Sequence, residues 1–417
     1  MACQHVRYYA PSVLADPPTS HPPRLLSLEE DDSVCSHFPP LTPAGFARQA
    51  HLCVDLGVGS TQQLWRPLTF LPTHQPRPAA ASLSRTSELF SLLNGLQFPA
   101  HHCDSPALHV FPIRTLPLIG FGQTLEYLNL ALVLAAGRGS MLVLGQQSSL
   151  AWASTWYCGS ERSLRCYFNV SACCGDATFN EGSLRTRKPL RKGAKFGELV
   201  GNHRALKLDK FNSFGTLWLT GQISQFVFSR MWPSVREALS RRRVAASIPR
   251  GQLDMIGMHV RRGDSCALKS RYCPTNMTEA YFLKASKLRE AYGFNRIFMA
   301  TDDPTAADMC RRGHLGFECH TMPMNRERFQ AFTSIELRVA KQDRQCGASC
   351  KRDPLSGSEL ALDALADMDM LADCRCLVVN LRASMSRLAL SMAVARRRSH
   401  VPFISVQWPW GGRSAHQ

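Results

Sequence analysis

Two arginines, a histidine and an aspartate follow one apolar run of the chain and could bind an anion. The segment "IGMHVRRGDSC", residues 256–266, leads from apolar and small residues to His259, Arg261, Arg262 and Asp264. Each guanidinium presents a planar fork of N–H donors that suits phosphate oxygens. The short apolar run predicts a buried strand, so these side chains would stand at its end. We therefore expect a site for an anion with several oxygens, such as a diphosphate.

Two other interpretations of this segment stay open. An Arg-Arg pair can belong to a surface salt-bridge network, although the nearby histidine and acid favour a functional site. An Arg-Gly-Asp triplet can mediate adhesion, but this one leaves a predicted buried strand rather than an exposed loop tip. Neither GxxxxGK[ST] nor GxGxxG occurs, so side chains rather than a glycine-rich loop would hold the phosphates. Arginines can neutralise a diphosphate leaving group, and we expect no metal and no further cofactor.

Polar side chains also follow two later apolar runs. Asp302 and Asp303 follow "RIFMAT" (296–301), and Ser384 lies beyond "CLVVN" (376–380). The carboxyl ends of parallel strands meet at one edge of a sheet, where ligands bind, so we expect these groups to converge. Because Pro304 comes next, the two aspartates could cap a helix or contact a ligand, and both roles stay open.

Strand and helix signals alternate from residue 255 onward, which predicts an α/β fold with a parallel sheet and helices on both faces. The predicted strands there are 255–260, 296–301, 376–380 and 402–406. The predicted helices are 278–292, one after Pro304, 358–373 and 384–396. Upstream, we predict a helix at 123–136, a buried strand at 141–144 and a helix at 217–232 that Pro233 ends.

Composition divides the chain into parts. Of the 25 prolines, 15 precede residue 113, so residues 1–112 are predicted to be a poorly ordered leader or stalk. Short helical pieces such as "SELFSLLNGL" (87–96) interrupt it. Residues 113–250 and 251–417 are predicted to form two further domains.

The chain carries 49 Lys and Arg against 32 Asp and Glu, a formal charge of +17 that favours anionic partners. Its basic runs, such as 184–192, 240–244 and 395–400, contain no interleaved aromatic residues that could stack on bases. We therefore expect a phosphorylated small molecule and no nucleic-acid partner.

Cysteines and glycosylation sequons suggest an oxidising compartment. Several of the 16 cysteines form close pairs, and two sequons occur: Cys266/Cys273, Cys310/Cys319, Cys346/Cys350, Asn169-Val-Ser171 and Asn276-Met-Thr278. No apolar segment is long enough for a signal peptide or membrane span, which an incomplete N-terminus would explain.

Three motifs that occur in order resemble those of the alpha-1,6-fucosyltransferase family (glycosyltransferase family 23), whose members include the enzyme that core-fucosylates N-glycans. They are "GMHVRRGD", "RIFMATDDP" and "LADMDMLADCRCLVV" with the following "SRLA". The upstream "GFGQTLEYLNLALVLAAGRGSMLVL" and "WLTGQISQFV" are similar to that family's first domain, so the match spans about 116–406.

The resemblance implies a GT-B-like fold of two Rossmann-like halves, an acceptor-side domain at 113–250 and a GDP-sugar-binding domain at 251–417. It implies inverting, metal-independent transfer of fucose from GDP-fucose to a glycan or glycoprotein, as in N-glycan processing in the Golgi lumen. The residues it places against the nucleotide are His259, Arg261, Arg262, Asp367 and Ser384. The residues it places in catalysis are Arg262, Asp264, Lys269, Asp302 and Asp303. In this scheme the arginines grip the diphosphate, Asp264 braces their loop and Asp367 accepts hydrogen bonds from guanine.

Lys269 departs from the family, which carries a glutamate implicated as the catalytic base at that position. A lysine acts as a base only if its pKa falls well below the usual value of about 10.4. Another carboxylate could serve (Asp302, Asp303 or Glu279), the acceptor could differ, or activity could be lost. The alternatives are therefore a nucleotide-sugar- or glycan-binding pseudoenzyme and an enzyme similar to protein O-fucosyltransferases. The acceptor, the linkage and the oligomeric state are not predicted.

Overall fold

The computed structural model describes residues 69–70, 80–99, 110–113, 119–137, 139–144, 150–159, 162–171, 215–251, 253–268, 273, 276–330, 333–346, 356–399 and 401–407. Its strands are β1 (Thr69–Phe70), β2 (Val110–Ile113), β3 (Met141–Leu144), β4 (Leu253–Val260), β5 (Arg296–Thr301), β6 (Glu318–Thr321), β7 (Cys374–Val379) and β8 (Phe403–Ser405). Its α-helices are α1 (Ala80–Gln97), α2 (Phe121–Gly137), α3 (Thr155–Cys158), α4 (Gly215–Ser229), α5 (Pro233–Ala245), α6 (Gly263–Leu268), α7 (Met277–Tyr292), α8 (Pro304–Arg311), α9 (Ile335–Cys346), α10 (Gly357–Asp373) and α11 (Ser384–Arg397).

A six-stranded sheet in the order β1-β8-β7-β4-β5-β6 frames the C-terminal half. The strands from β8 to β6 are parallel, and the short β1 pairs antiparallel with β8. From the central β4 the chain first builds β5 and β6 on one side and then β7 and β8 on the other. The order therefore reverses between β4 and β7, which opens a crevice at their carboxyl ends. The predicted α/β class with a parallel sheet is confirmed.

In the N-terminal half, β2 and β3 pair in parallel and α2 packs on them. Both halves thus have the α/β organisation that the GT-B-like prediction requires. Helix α1 contains the predicted helical piece at 87–96, and its Leu89 and Leu93 are fully buried in the core. The proposed boundaries at residues 112 and 250 stay predictions.

The two faces of the large sheet bury separate apolar clusters because strand side chains alternate in direction. On one face, Ile256 and Met258 of β4 pack with α7. On the other, Met255 of β4 and Phe298 of β5 join a cluster that extends through α10 and α11 into α2 and α4. That second cluster runs through both halves, so it fixes the walls of the crevice relative to each other.

Most sequence-predicted elements of the C-terminal half match the structure to within two residues at each end. Three elements were missed: β6, α9 and the short helix α6. The sequence of β6, "ECHT", is a polar edge strand without the apolar run that marks a buried one. Pro233 was expected to end a helix, and this was wrong: α4 ends at Ser229 and Pro233 opens α5. Proline is favoured at a first helical position, where its missing N–H has no intrahelical partner.

Within the described ranges, three disulfides join cysteines close in sequence: Cys158–Cys166, Cys266–Cys273 and Cys310–Cys319. Two of them are the predicted close pairs. The third predicted pair includes Cys350, which lies outside the described residues. In the part of the chain that the structure describes, no helix combines the length and the apolar character needed to cross a membrane.

Candidate functional site

The segment after β4 is held by carboxylates on two sides. Arg261 Nη2 donates to Asp264 Oδ1 at 2.5 Å, and its Nη1 pairs with Asp302 Oδ2. Asp264 is buried, and its other oxygen accepts the Ile335 N–H at 3.0 Å. Asp264 therefore ties the arginine segment to the start of α9, and its expected role in bracing that segment for catalysis stays a prediction.

Arg262 points away from its neighbour. Its Nε pairs with Asp303 Oδ2 at 2.9 Å, and its Nη1 donates to Thr278 Oγ1 at 2.9 Å. Its backbone N–H donates to Asp302 Oδ1 at 2.8 Å. Each arginine side chain keeps 26% of its surface exposed. Each guanidinium has five N–H donors, so N–H groups beyond those in these bonds stay available.

The position of Gly263, the glycine of the Arg-Gly-Asp triplet, requires a residue without a side chain. Gly263 has φ +26°, and a Cβ on it would lie 2.5 Å from Asp302 Oδ2 and 3.2 Å from Arg261 Nη1. Only glycine lets the backbone approach this ion pair so closely. The triplet is thus part of the charge cluster, with its aspartate buried.

The two acids after β5, Asp302 and Asp303, have different roles, although the sequence left a helix cap and a ligand contact open for both. Asp303 is the N-cap of α8, and its Oδ1 accepts the N–H groups of Thr305 at 2.7 Å and Ala306 at 3.3 Å. Asp302 caps nothing and instead holds the side chain of Arg261 and the backbone of Arg262.

His259 lies at the end of β4 with its Nδ1 2.6 Å from Ser386 Oγ. Burial, reinforced by the positive charge of Arg261, lowers the pKa of His259 to about 3. The ring is therefore neutral near pH 7 and serves as a hydrogen-bonding group. Ser386 also accepts the Asn380 N–H at 3.0 Å, which connects β4 to the turn after β7.

Asp367 of α10 is a buried acid in the same crevice. Burial raises its pKa well above the ordinary value, against the opposing effect of the Arg326 charge. Its Oδ1 has no hydrogen-bond partner within the described ranges. Buried polar atoms are nearly always bonded, so an unpaired carboxyl oxygen facing a cavity is suited to N–H donors of a ligand.

Sequence reasoning missed two residues that hold other site residues in place, Arg326 and Glu126. Arg326 is held by Thr321 Oγ1 at 2.6 Å and by the Met322 carbonyl at 2.8 Å, which fixes it near Asp367. Glu126 of α2 binds Arg387 of α11 with both oxygens, at 2.6 and 2.7 Å. An isolated charge within the apolar sequence of α2 was the available signal for Glu126.

Arg387 also orients Ser384, because its Nη2 donates to Ser384 Oγ at 3.0 Å. The bidentate pair with Glu126 is part-buried and joins the two halves of the protein. The predicted phosphate-side hydroxyl is therefore positioned by a contact between the halves.

A cavity of about 440 Å³ lies between the halves. Six of the predicted site residues line it: His259, Arg261, Asp264, Asp302, Asp367 and Ser384. The N-terminal half contributes Trp152 and the start of α2 at 120–123. The first N–H groups of a helix lack intrahelical partners and favour anions, so this wall and Arg261 would both attract an anion in the cavity.

Two other predicted residues, Arg262 and Asp303, are absent from the described wall of the cavity. Both are adjacent to it through the contacts given above. Lys269 lies outside the described residues. Glu279, the alternative base, instead pairs with His314 at 2.7 Å and is also absent from the described wall.

No group of three or more His, Cys, Asp or Glu side chains suited to a metal ion occurs within the ranges that the structure describes.

No protein-family model and no curated protein matches the sequence. Among solved structures, the chain is similar to the fucosyltransferase NodZ from Bradyrhizobium, with 16% identity, a TM-score of 0.37 and coverage of 70% of this chain and 91% of that one. It is similar to NodZ alpha-1,6-fucosyltransferase soaked with GDP-fucose, with 16% identity, a TM-score of 0.36 and coverage of 71% and 92%. It is also similar to POFUT1 in its apo form, with 9% identity, a TM-score of 0.38 and coverage of 73% and 99%. These structural neighbours are fucosyltransferases of low sequence identity, and at such scores the likeness carries no conclusion about activity.

Proposed function

We propose that the protein transfers fucose from GDP-fucose to a glycan or glycoprotein acceptor, with inversion and without a metal ion. The observation that carries this proposal is Arg261. It stands at the carboxyl end of the central strand, faces the cavity between the halves and is oriented by two carboxylates.

The chemistry requires stabilisation of a departing diphosphate. The acceptor oxygen bonds to C1 of the sugar as the bond from C1 to the phosphate oxygen breaks, and the electron pair moves onto the GDP. Arg261 and the start of α2, which both line the cavity, supply positive potential to that oxygen. Because both are held in place beforehand, little reorganisation accompanies the reaction. Arg262 holds its neighbours through Asp303 and Thr278, in addition to the phosphate contact that the resemblance implies.

The choice of a guanine nucleotide is supported by Asp367. Guanine carries two adjacent N–H donors, and a carboxylate accepts both. Asp367 is buried on the cavity wall with an oxygen that has no described partner. Guanine in this place would supply the missing hydrogen bonds and would favour the ionised carboxylate.

Disulfides are compatible with a secreted or lumenal protein, and we extend the proposal to the Golgi lumen. The second candidate function is a GDP-sugar-binding protein without catalytic activity. Lys269, which replaces the family's glutamate, favours it.

Calorimetry with GDP, and with ADP as the matched control, tests the nucleotide site directly. We expect GDP to bind and ADP to bind much more weakly, in the presence of EDTA. Consumption of GDP-fucose is then followed with N-glycan, chitooligosaccharide and folded-protein acceptors, with GDP-mannose as the control donor. Equal affinity for ADP would contradict the guanine site, and a requirement for manganese would contradict the metal-independent mechanism. GDP binding without any transfer would establish the non-catalytic alternative.

A further inference from the structure

Among the residues that the structure describes, five carboxylates line the cavity between the halves: Asp264, Asp302, Glu336, Asp363 and Asp367. An inverting transfer needs a base that removes the proton of the acceptor hydroxyl. A base must have an oxygen that the protein itself does not already occupy. The bonding of each carboxylate therefore separates structural acids from a candidate base.

The two acids beside the arginines are fully engaged. Asp264 binds Arg261 with one oxygen and the Ile335 N–H with the other. Asp302 binds the side chain of Arg261 and the backbone of Arg262. Their charges are used to hold the phosphate-binding segment, so proton removal by either would release the arginines.

The two acids of α10 are also unsuited. Asp363 pairs with Arg242 at 2.7 Å and with Arg328 at 2.5 Å. Asp367 is buried, its pKa is raised well above the ordinary value, and the proposed function uses it for guanine. Both oxygens of Asp363 are held by arginines, and Asp367 is favoured in its protonated form. Neither acid therefore offers a free ionised oxygen to an acceptor.

Glu336 differs from all four. It is half-buried in the first turn of α9. Its carboxylate has no hydrogen-bond or ion-pair partner in the described part of the chain. Its Oε1 lies 3.3 Å from the position that a Cβ on Gly120 would occupy, so it is close to the N-terminal half at the start of α2.

The position of Glu336 relative to the arginine segment is set by the backbone. Its neighbour Ile335 donates its N–H to Asp264 at 3.0 Å, and Asp264 binds Arg261. A short chain of bonds therefore connects the start of α9 to the guanidinium proposed to hold the leaving group. Glu336 lines the same cavity as Arg261 and is close to the acceptor-side half.

We propose that Glu336 is the general base of the transfer, an inference that rests on the proposed function. Its carboxylate accepts the proton of the acceptor hydroxyl while that oxygen forms a bond to C1 of fucose. The bond from C1 to the diphosphate breaks, and GDP leaves with the electron pair. The assignment supplies a carboxylate base in a chain whose Lys269 replaces the glutamate of the family.

A purely structural role for Glu336 would be to stabilise α9, since an acid in the first turn interacts favourably with the helix dipole. The two roles differ in their consequences. Loss of a helix-dipole contact lowers the stability slightly, whereas loss of a base lowers the turnover and leaves nucleotide binding intact.

The test compares Glu336→Gln with Glu327→Gln. Glu327 is exposed, lies in a nearby 3-10 helix and is not a described wall residue, so it controls for the charge change. Affinity for GDP by calorimetry and transfer from GDP-fucose are measured on the same preparations. For Glu336→Gln we expect kcat to fall about 10²- to 10⁴-fold, the range for general-base catalysis, with unchanged GDP affinity. Glu327→Gln should match the unsubstituted protein in both measurements.

Chemical rescue gives a readout that a structural role would not move. Formate added to Glu336→Ala supplies a small carboxylate in the vacated space and should restore part of the transfer rate. Formate should have no effect on Arg261→Ala.

The outcomes separate this inference from the proposed function. If the unsubstituted protein fails to bind GDP, the proposed function and the base assignment both fall. If it binds GDP but transfers to no acceptor, the proposed transfer and the base assignment both fall, and the non-catalytic GDP-sugar-binding alternative stands. If it transfers and Glu336→Gln keeps a similar kcat, another group is the base and the proposed function stands.

Discussion

Each of the two edges of the large sheet carries a cluster of arginine and aspartate side chains, but the two clusters differ in their roles. At the amino edge, Arg243 and Arg396 each bind both Asp369 and Asp373, at 2.5–2.6 Å, in a closed group of four charges. At the carboxyl edge, Arg261 binds Asp264 and Asp302 but also faces the cavity.

The two clusters differ in closure, which is how completely the protein itself pairs and buries their charges. The side chain of Arg243 is 4% exposed, whereas that of Arg261 is 26% exposed. In the amino-edge group every charge meets an opposite charge of the protein, and α5 is thereby held against α10 and α11. At the carboxyl edge the carboxylates orient a guanidinium that still has donors to offer. The amino-edge group also lines a cavity, one of about 270 Å³, so the two clusters differ in how completely their charges are paired within the protein and not in the presence of a cavity.

The largest effect expected from this comparison is on stability. Arg243→Ala leaves Asp369 and Asp373 partly unpaired in a buried place, which should lower the free energy of unfolding by about 3–5 kcal/mol. Urea unfolding measures it. The exposed pair of Arg241 with Glu237 provides the control, and Arg241→Ala should cost less than about 1 kcal/mol. Similar losses in the two variants would mean that closure does not matter.

The next effect is on ligand binding. Arg261→Ala removes charged hydrogen bonds to the diphosphate and should weaken GDP binding by about 2–3 kcal/mol, or about 30- to 150-fold. Arg262→Ala, whose side chain instead contacts Asp303 and Thr278, should have a smaller effect. Calorimetry on both variants decides. Equal losses would show that both arginines contact the diphosphate, as the family resemblance implies.

The sequence predicted the carboxyl-edge site better than the amino-edge group. The strand "MIGMHV" and the residues after it are adjacent in the chain, so periodicity and strand polarity placed His259 and Arg261 correctly. Arg243, Asp369 and Arg396 come from three helices, and no local pattern brings them together. Glu336 was missed for a related reason: its helix was not predicted, and the bond from the Ile335 N–H to Asp264 that places it at the site joins residues far apart in the chain.

A smaller effect is expected at the buried acid Asp367, whose protonation should depend on whether GDP is bound. In the empty site the raised pKa of Asp367 favours the protonated carboxyl, whereas guanine donors favour the ionised one. Below that pKa, GDP binding should release a proton, so GDP affinity should rise with pH. Asp367→Asn should abolish this dependence and weaken GDP binding about 10-fold, or about 1.4 kcal/mol. Calorimetry in buffers of different ionisation enthalpy measures the proton release, and its persistence in the variant would assign it to another group.

The smallest effect concerns how the carboxyl edge responds to acid. His259 has a folded-state pKa of about 3, below the unfolded value of about 6.5, so the unfolded state binds the proton more readily. The resulting stability is present above pH 6.5 and is lost as the pH falls toward 3. Between pH 6.5 and 5.5 this amounts to about 1 kcal/mol, and urea unfolding at several pH values should show that part missing in His259→Gln. The unsubstituted protein, measured in parallel, gives the pH dependence against which the variant is compared. If His259→Gln keeps it too, the ring at the end of β4 is not held neutral by burial, and the carboxyl edge is more open to water than its packing indicates.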